Sequence, residues 1–241
     1  MEQITLETIK SKRSSFRYDT EKYNFYSKIQ QIYGVNCNLE EIHEFLPDVK
    51  LLEQVTFDND TSTVFHKTYY KSPLYPEVVR LYSEFVKEYL LPMFKDESFL
   101  VVQTAPSYRI HFPNNTALGK RQDQSDEEII GLHCDGEYGH PPEEINFMLS
   151  ITGQEGTNSC YIESAPGKAD YEPLRIQKGE VCVFYGNQCR HFNKKNSTQN
   201  TRISFDFRVI PGSLYKESSA TAVHSKKRFV VGEYYSIFRK D

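Results

Sequence analysis

Three side chains of metal-binding type occur in an order that would let them meet at one ion. His133 and Asp135 lie two positions apart in GLHCDGEYGH, and His191 follows much later in CRHFN. Residues i and i+2 of an extended strand leave the same face, so His133 and Asp135 can chelate one ion. Two imidazoles and one carboxylate form a facial site with open positions, which suits iron(II) and oxygen chemistry. The pattern therefore predicts a metal centre at His133, Asp135 and His191.

An anion site is predicted shortly after His191, in the segment TRISFDFRV. Arg202 and Ser204 alternate with apolar residues, so both point to one face of a strand. A guanidinium can bind a carboxylate through two hydrogen bonds, and the serine hydroxyl can add a third, as a dicarboxylate cosubstrate would need. The alternation puts Asp206 and Arg208 on that face too, where they either pair with each other or contact a substrate.

Taken together, HCD at 133–135, His191 and RIS at 202–204 resemble the HxD…H…RxS pattern of iron(II)/2-oxoglutarate-dependent oxygenases. The resemblance covers roughly residues 98–211, where IESAPG and TRISFDFRVIP are similar to small-molecule members from antibiotic and other specialised-metabolite pathways. It implies a double-stranded β-helix, with Fe(II), O2 and 2-oxoglutarate as cofactor and cosubstrates, and succinate and CO2 as products. Arg208 in place of Arg202 as the cosubstrate ligand would have a spacing from His191 that is unusual for the family.

The identity of residue 135 also bears on the reaction outcome. Halogenating relatives resemble this pattern but carry a small residue where this chain has Asp135, which frees a position for halide. With a carboxylate present, hydroxylation or a related oxidation of a small polar metabolite is the predicted reaction.

The surrounding pattern predicts a mainly β fold, a two-sheet jelly roll or barrel, with N-terminal α-helices that support it; the resemblance implies the cupin-like form, the double-stranded β-helix. Apolar residues at helical spacing between Tyr75 and Leu91 predict one amphipathic helix, with Pro76 in its first turn and Pro92 at its end. From Ser98 the period changes to two. The predicted strands are Phe99–Gln103, Ser107–Phe112, Gly131–Asp135, Glu144–Thr152, Ser159–Glu163, Leu174–Gln177, Glu180–Tyr185 and Thr201–Ile210.

We expect one domain over residues 1–241, with a mostly helical support over 1–97, a β-helix core with the metal site over 98–211, and a C-terminal extension over 212–241. The polar interval from Gly119 to Glu128 precedes the metal motif and is a candidate lid.

Other side chains are candidates on strand alternation or on proximity to the motif. Asn146 is predicted to line the pocket near the metal and to bind the cosubstrate. Arg109 shares a face with Ser107 and His111, and is predicted to touch the substrate, as are Tyr138, His140 and Arg208. His140 precedes two prolines, so a plain loop role is an equal alternative.

Composition limits the partners. A net charge of −4 without a lysine or arginine block argues against nucleic acid, and no apolar run is long enough for a membrane span. Five widely spread cysteines without a CxxC pair predict free thiols in a reducing cytoplasm. The expected partner is a small molecule, and the sequence does not indicate an oligomeric state.

Two other functions stay open at this stage. A cupin-like isomerase, lyase or binding protein would keep the histidines but has no need of Arg202 and Ser204, so 2-oxoglutarate binding separates it from the oxygenase. A protein-modifying oxygenase is the third interpretation.

Overall fold

A computed structural model describes residues 3–49, 63–116, 129–223 and 225–240, and the fold below refers to these ranges. The α-helices are α1 (Leu6–Ser11), α2 (Phe25–Tyr33), α3 (Val64–Lys71) and α4 (Tyr75–Phe85). The strands are β1 (Ser14–Arg17), β2 (Phe99–Gln103), β3 (Ser107–His111), β4 (Ile130–His133), β5 (Ile145–Ser150), β6 (Cys160–Ile162), β7 (Glu172–Pro173), β8 (Glu180–Phe184), β9 (His191–Asn193), β10 (Arg202–Pro211) and β11 (Tyr235–Arg239). A π-helical segment, Val86–Leu90, and a 3-10 turn, Leu91–Met93, extend α4, and further 3-10 turns span Leu39–Glu44, Asp135–Tyr138, Gly156–Asn158 and Gly212–Leu214.

Two antiparallel sheets face each other across a cavity. Within the described ranges, the larger sheet has the strand order β1-β8-β5-β10-β2-β11, and β3 pairs with the first half of β10. The smaller sheet has the order β4-β9-β6-β7. The cavity between them is lined by side chains of both sheets. This architecture is the double-stranded β-helix that the resemblance implies, and it agrees with the two-sheet jelly roll or barrel predicted from the alternating pattern, so the predicted fold class is confirmed.

Strand β10 is central because one of its faces packs in the core and the other lines the cavity. Phe205, Phe207 and Val209 point outward and are fully buried beneath the helices, where Phe207 stacks on Phe147 with ring centroids 5.3 Å apart. Tyr82 of α4 meets the same ring edge-on at 5.1 Å. Burial of large aromatic side chains is the main stabilising contribution of such a layer. The intervening polar residues of β10 point the other way, into the cavity.

The helix predicted from Tyr75 to Leu91 is present, because its apolar residues form one face that packs on the sheet. Val78, Tyr82 and Phe85 on that face are completely buried. The helix changes from α to π geometry at Val86 and ends in the 3-10 turn that contains Pro92.

Several boundaries differ from the sequence-based prediction. The strand predicted at Leu174–Gln177 is wrong: β7 comes earlier, and only Ile176 makes a bridge, to Gln154, although Leu174 and Ile176 are both buried. Alternation here reflects burial without a continuous hydrogen-bonded partner. Strands β1 and β11 lie outside the predicted β core and add both edges of the larger sheet. The candidate lid, Gly119 to Glu128, falls outside the described residues.

In the part of the chain that the structure covers, we find no helix with the length and apolar character needed to cross a bilayer. All five cysteines are free thiols, as predicted.

Candidate active site

The two histidines of the motif lie opposite each other on neighbouring strands. His133 ends β4, His191 begins β9, and the two are paired across the smaller sheet. The Nδ1 atom of His133 contacts the carbonyl of Gly131, and Nδ1 of His191 contacts the carbonyl of Cys189 at 3.0 Å. Because a carbonyl only accepts, each Nδ1 carries the proton, and each Nε2 is left with a lone pair for a metal.

Asp135 completes this set from the turn that follows β4. Its Oδ1 lies 3.7 Å from Nε2 of His133 and 3.7 Å from Nε2 of His191, and its side chain is almost fully buried. The three ligand atoms lie within 4.8 Å of one another. The strand predicted to include Asp135 ends at His133, but Cys134 remains extended, so the i and i+2 side chains still converge.

The electrostatics keep His133 and Asp135 in the forms that bind a cation. Burial, together with the neighbouring His191, lowers the pKa of His133 to about 4, so this imidazole is neutral at pH 7. Burial works against ionisation of Asp135, but Arg208 together with His191, His140 and His133 outweighs it and holds the pKa of that carboxyl well below its usual range. A neutral imidazole and an ionised carboxylate are donors that suit Fe(II), and His191 adds a second imidazole to the set.

The cavity beside this site measures about 640 Å3, including the solvent at its open side. Its lining residues are Arg109, Ile110, His133, Asn146, Met148, Cys160, Phe184, His191, Asn193, Arg202, Asp206 and Arg208. Three arginines and one carboxylate among them leave an excess of positive charge, which suits an anionic occupant.

The environment of Arg202 and Ser204 suits a carboxylate ligand. Arg202 is 3% exposed, and its Nη1 donates to Asn193 Oδ1 at 3.1 Å. Burial lowers the pKa of Arg202 to about 10, so the guanidinium stays charged at neutral pH. Among the described residues, neither Arg202 Nε nor Ser204 Oγ has a hydrogen-bond partner, although both atoms are buried. Buried polar atoms without partners are costly unless a ligand satisfies them.

Arg208 and Asn146, predicted to bind substrate and cosubstrate, both contact Asp135 in the structure. Arg208 donates to Asp135 Oδ2 from Nε at 3.1 Å and from Nη2 at 2.9 Å, and it pairs through Nη1 with Asp206. Asn146 donates from Nδ2 to the same Oδ2 at 2.6 Å. The internal Asp206–Arg208 ion pair, which the sequence analysis gives as the alternative to substrate contact, is therefore present. Ligand contact by Arg208 and Asn146 stays a prediction.

The other predicted substrate residues lie at different distances from the cavity. Arg109 lines it and pairs with Asp206 at 3.0 Å, and Tyr138 meets His133 ring to edge with centroids 5.0 Å apart. His140 lies behind Asp135 and is not among the lining residues: its Nδ1 is 2.7 Å from Glu144 Oε2, and its ring packs on Phe229 at 4.5 Å. Their substrate roles stay predictions.

Sequence reasoning missed part of the cavity wall. Asn193 lies two residues after His191 on a three-residue strand too short to give a periodic signal. Phe184 lines the wall because β8 pairs with β5 so that Phe184 lies opposite Asn146. That register is a long-range property with no local signal. Met148, by contrast, shares the strand face of Asn146, so the alternation in β5 could have found it.

Comparison with known proteins gives one curated relative and a set of solved structures, while no protein-family model matches the chain. The chain is 28% identical over 232 residues to the streptomycin biosynthesis protein StrG of Streptomyces griseus, which covers 93% of this chain and 98% of StrG. Among solved structures, the chain is similar to SnoK, a non-haem α-ketoglutarate-dependent carbocyclase from nogalamycin biosynthesis. The TM-score is 0.50 at 8% sequence identity, covering 98% of this chain and 99% of SnoK. This likeness shows a shared fold.

Proposed function

We propose that the chain is an Fe(II)/2-oxoglutarate-dependent oxygenase that hydroxylates a small polar metabolite. The observation that carries this proposal is the meeting of two features at one cavity. Three metal-type ligands converge at the smaller sheet, and β10 of the larger sheet carries a buried arginine and a buried serine whose Nε and Oγ atoms have no partner among the described residues. A metal-binding protein without a dicarboxylate cosubstrate would have no use for the second feature.

In this proposal His133 Nε2, Asp135 Oδ1 and His191 Nε2 bind Fe(II). Arg202 and Ser204 bind the distal carboxylate of 2-oxoglutarate, and Asn193 holds the guanidinium of Arg202 in place. When bound, Fe(II) and 2-oxoglutarate supply the oxidising chemistry that couples O2 to the substrate and yields succinate and CO2. The protein residues bind, orient and keep the site from bulk water.

A biosynthetic role is the second part of the proposal. It is supported by the similarity to a streptomycin biosynthesis protein along nearly the full length of both chains. We infer from it a small, polar substrate of specialised metabolism. Arg109 and Tyr138, which lie beside the cavity and His133, are the proposed first contacts with that substrate.

Succinate formation tests the proposal. The Fe(II)-loaded protein should convert 2-oxoglutarate to succinate in air, slowly alone and faster with polar candidate metabolites. His133→Ala and Asp135→Ala should abolish this turnover because each removes a ligand, while Arg228→Gln, which changes an exposed ion pair with Glu233, should retain it. Metal binding without any succinate from the wild-type protein would favour the cupin-like alternative.

A further inference from the structure

The two oxygens of Asp135 have different environments. Oδ1 faces His133 and His191 at 3.7 Å from each Nε2. Oδ2 accepts three hydrogen bonds, two from Arg208 and one from Asn146, at distances between 2.6 and 3.1 Å. An oxygen with three donors has no lone pair left for a metal.

The two donors are themselves fixed. Arg208 is 7% exposed and is held from behind by Asp206, which accepts from Nη1 at 2.9 Å. Asn146 is 1% exposed, and its Oδ1 accepts the backbone N–H of Gly186 at 3.0 Å. The two residues face each other in the pairing of β5 with β10. The rigid sheet thus sets the position of the carboxylate, although Asp135 itself lies in a turn.

We propose that Arg208 and Asn146 are positioning residues that make Asp135 a one-oxygen ligand. This inference rests on the proposed function. Two imidazoles and one carboxylate oxygen occupy three of six positions around Fe(II), leaving two for a chelating 2-oxo acid and one for O2. A carboxylate that bound through both oxygens would take one of those positions. With Oδ2 held by Arg208 and Asn146, Oδ1 is the oxygen that would be free to bind the metal.

A pair of variants isolates this effect from a change in net charge. Arg208→Met combined with Asp206→Asn removes one positive and one negative charge, so the cavity keeps its balance while Oδ2 loses two donors. Wild type is the charge-matched reference, and Asp206→Asn alone controls for the change at Asp206, because Arg208 can still hold Asp135.

The measurement is the Kd for Co(II), followed by its visible d–d absorption under anaerobic conditions. Loss of an outer partner of a metal ligand commonly weakens binding by about 10–100-fold, and we expect a loss in this range for the double variant relative to wild type, which has the same net charge. The absorption band should also change shape, because the ligand geometry changes. Equal or tighter Co(II) binding by the double variant, with an unchanged band, would overturn the inference.

Two further variants serve as controls for interpreting the outcome. If the double variant does not fold, as judged by circular dichroism, Asn146→Ala removes the third donor at lower cost and should weaken Co(II) binding about tenfold; wild-type affinity would again overturn the inference. His133→Ala serves as the reference for the metal site. If it binds Co(II) as wild type does, the proposed function fails. If it loses Co(II) while the positioning variants retain it, only the present inference fails.

Discussion

Replacement of Arg202 is the perturbation with the clearest consequence for cosubstrate binding. Arg202 is 3% exposed, keeps its charge despite burial, and has a buried Nε without a described partner. Removing one partner of a buried charge pair costs about 2–5 kcal/mol. Taking about 3 kcal/mol for Arg202→Gln, and a tenfold change for each 1.4 kcal/mol, we expect 2-oxoglutarate to bind roughly 100-fold more weakly.

The assay is isothermal titration of 2-oxoglutarate into protein loaded with Mn(II) under anaerobic conditions. Arg202→Lys separates charge from geometry, because lysine keeps the charge but cannot make two parallel hydrogen bonds, and it should lie between wild type and Arg202→Gln. Arg190→Gln is the matched control, since Arg190 is near the site but pairs with the exposed Glu137. Its affinity for 2-oxoglutarate should stay within about twofold of wild type, as for an exposed ion pair.

Two results would refute this reasoning. The first is an Arg202→Gln protein that binds 2-oxoglutarate as tightly as wild type. The second is an equal loss in Arg190→Gln, because a general reduction in positive charge would then explain the effect. Mn(II) affinity should be similar in all four proteins, since Arg202 contacts none of the three proposed ligands.

The other expected outcomes concern the support of the site and the stability of the fold. Gly186→Ala would place a Cβ 2.7–2.9 Å from three side-chain atoms of Asn146, so the amide must move off Asp135. The affinity for Mn(II), measured by titration, should therefore fall about tenfold. Unchanged affinity would contradict this prediction. Burial lowers the pKa of His66 to about 4. The contribution of the neutral imidazole to the free energy of unfolding is therefore complete above pH 6.5 and is lost as the pH falls towards 4. His66→Gln should therefore lose less stability than wild type between pH 7 and pH 4.5, by at most about 3 kcal/mol in urea unfolding, and equal losses would refute it. Phe207→Ala, which removes a fully buried stacked ring, should cost about 3–5 kcal/mol in the same assay, and a cost under about 1 kcal/mol would show that the site collapses without a cavity.

The ligand set was predictable because its information is local. His133 and Asp135 are separated by one residue, and an extended Cys134 suffices to bring both to one side. His191 and Arg202 were assigned from their order along the chain, because that order resembles a known family pattern. The jelly roll was predicted from the period of two in the residues after Ser98, which can be recognised without knowing which strands pair.

The contacts of Arg208 and Asn146 were not predictable, because they depend on register. Strand alternation put Arg208 on the inner face, but its contact with Asp135 requires the turn after β4 to lie against β10, 73 residues away in sequence. Strand β11 was missed for the same reason. Its pairing with β2 joins Tyr235 to Gln103, and YSIFR is too short to signal an edge strand locally.

The most direct test of the central claim is an anaerobic titration of the protein with Fe(II) and 2-oxoglutarate, followed by visible absorption. The proposed chelate should give a weak charge-transfer band in the wild-type protein, which weakens in Arg202→Gln and disappears in His133→Ala. Absence of the band from wild-type protein that has bound Fe(II) would contradict the oxygenase assignment.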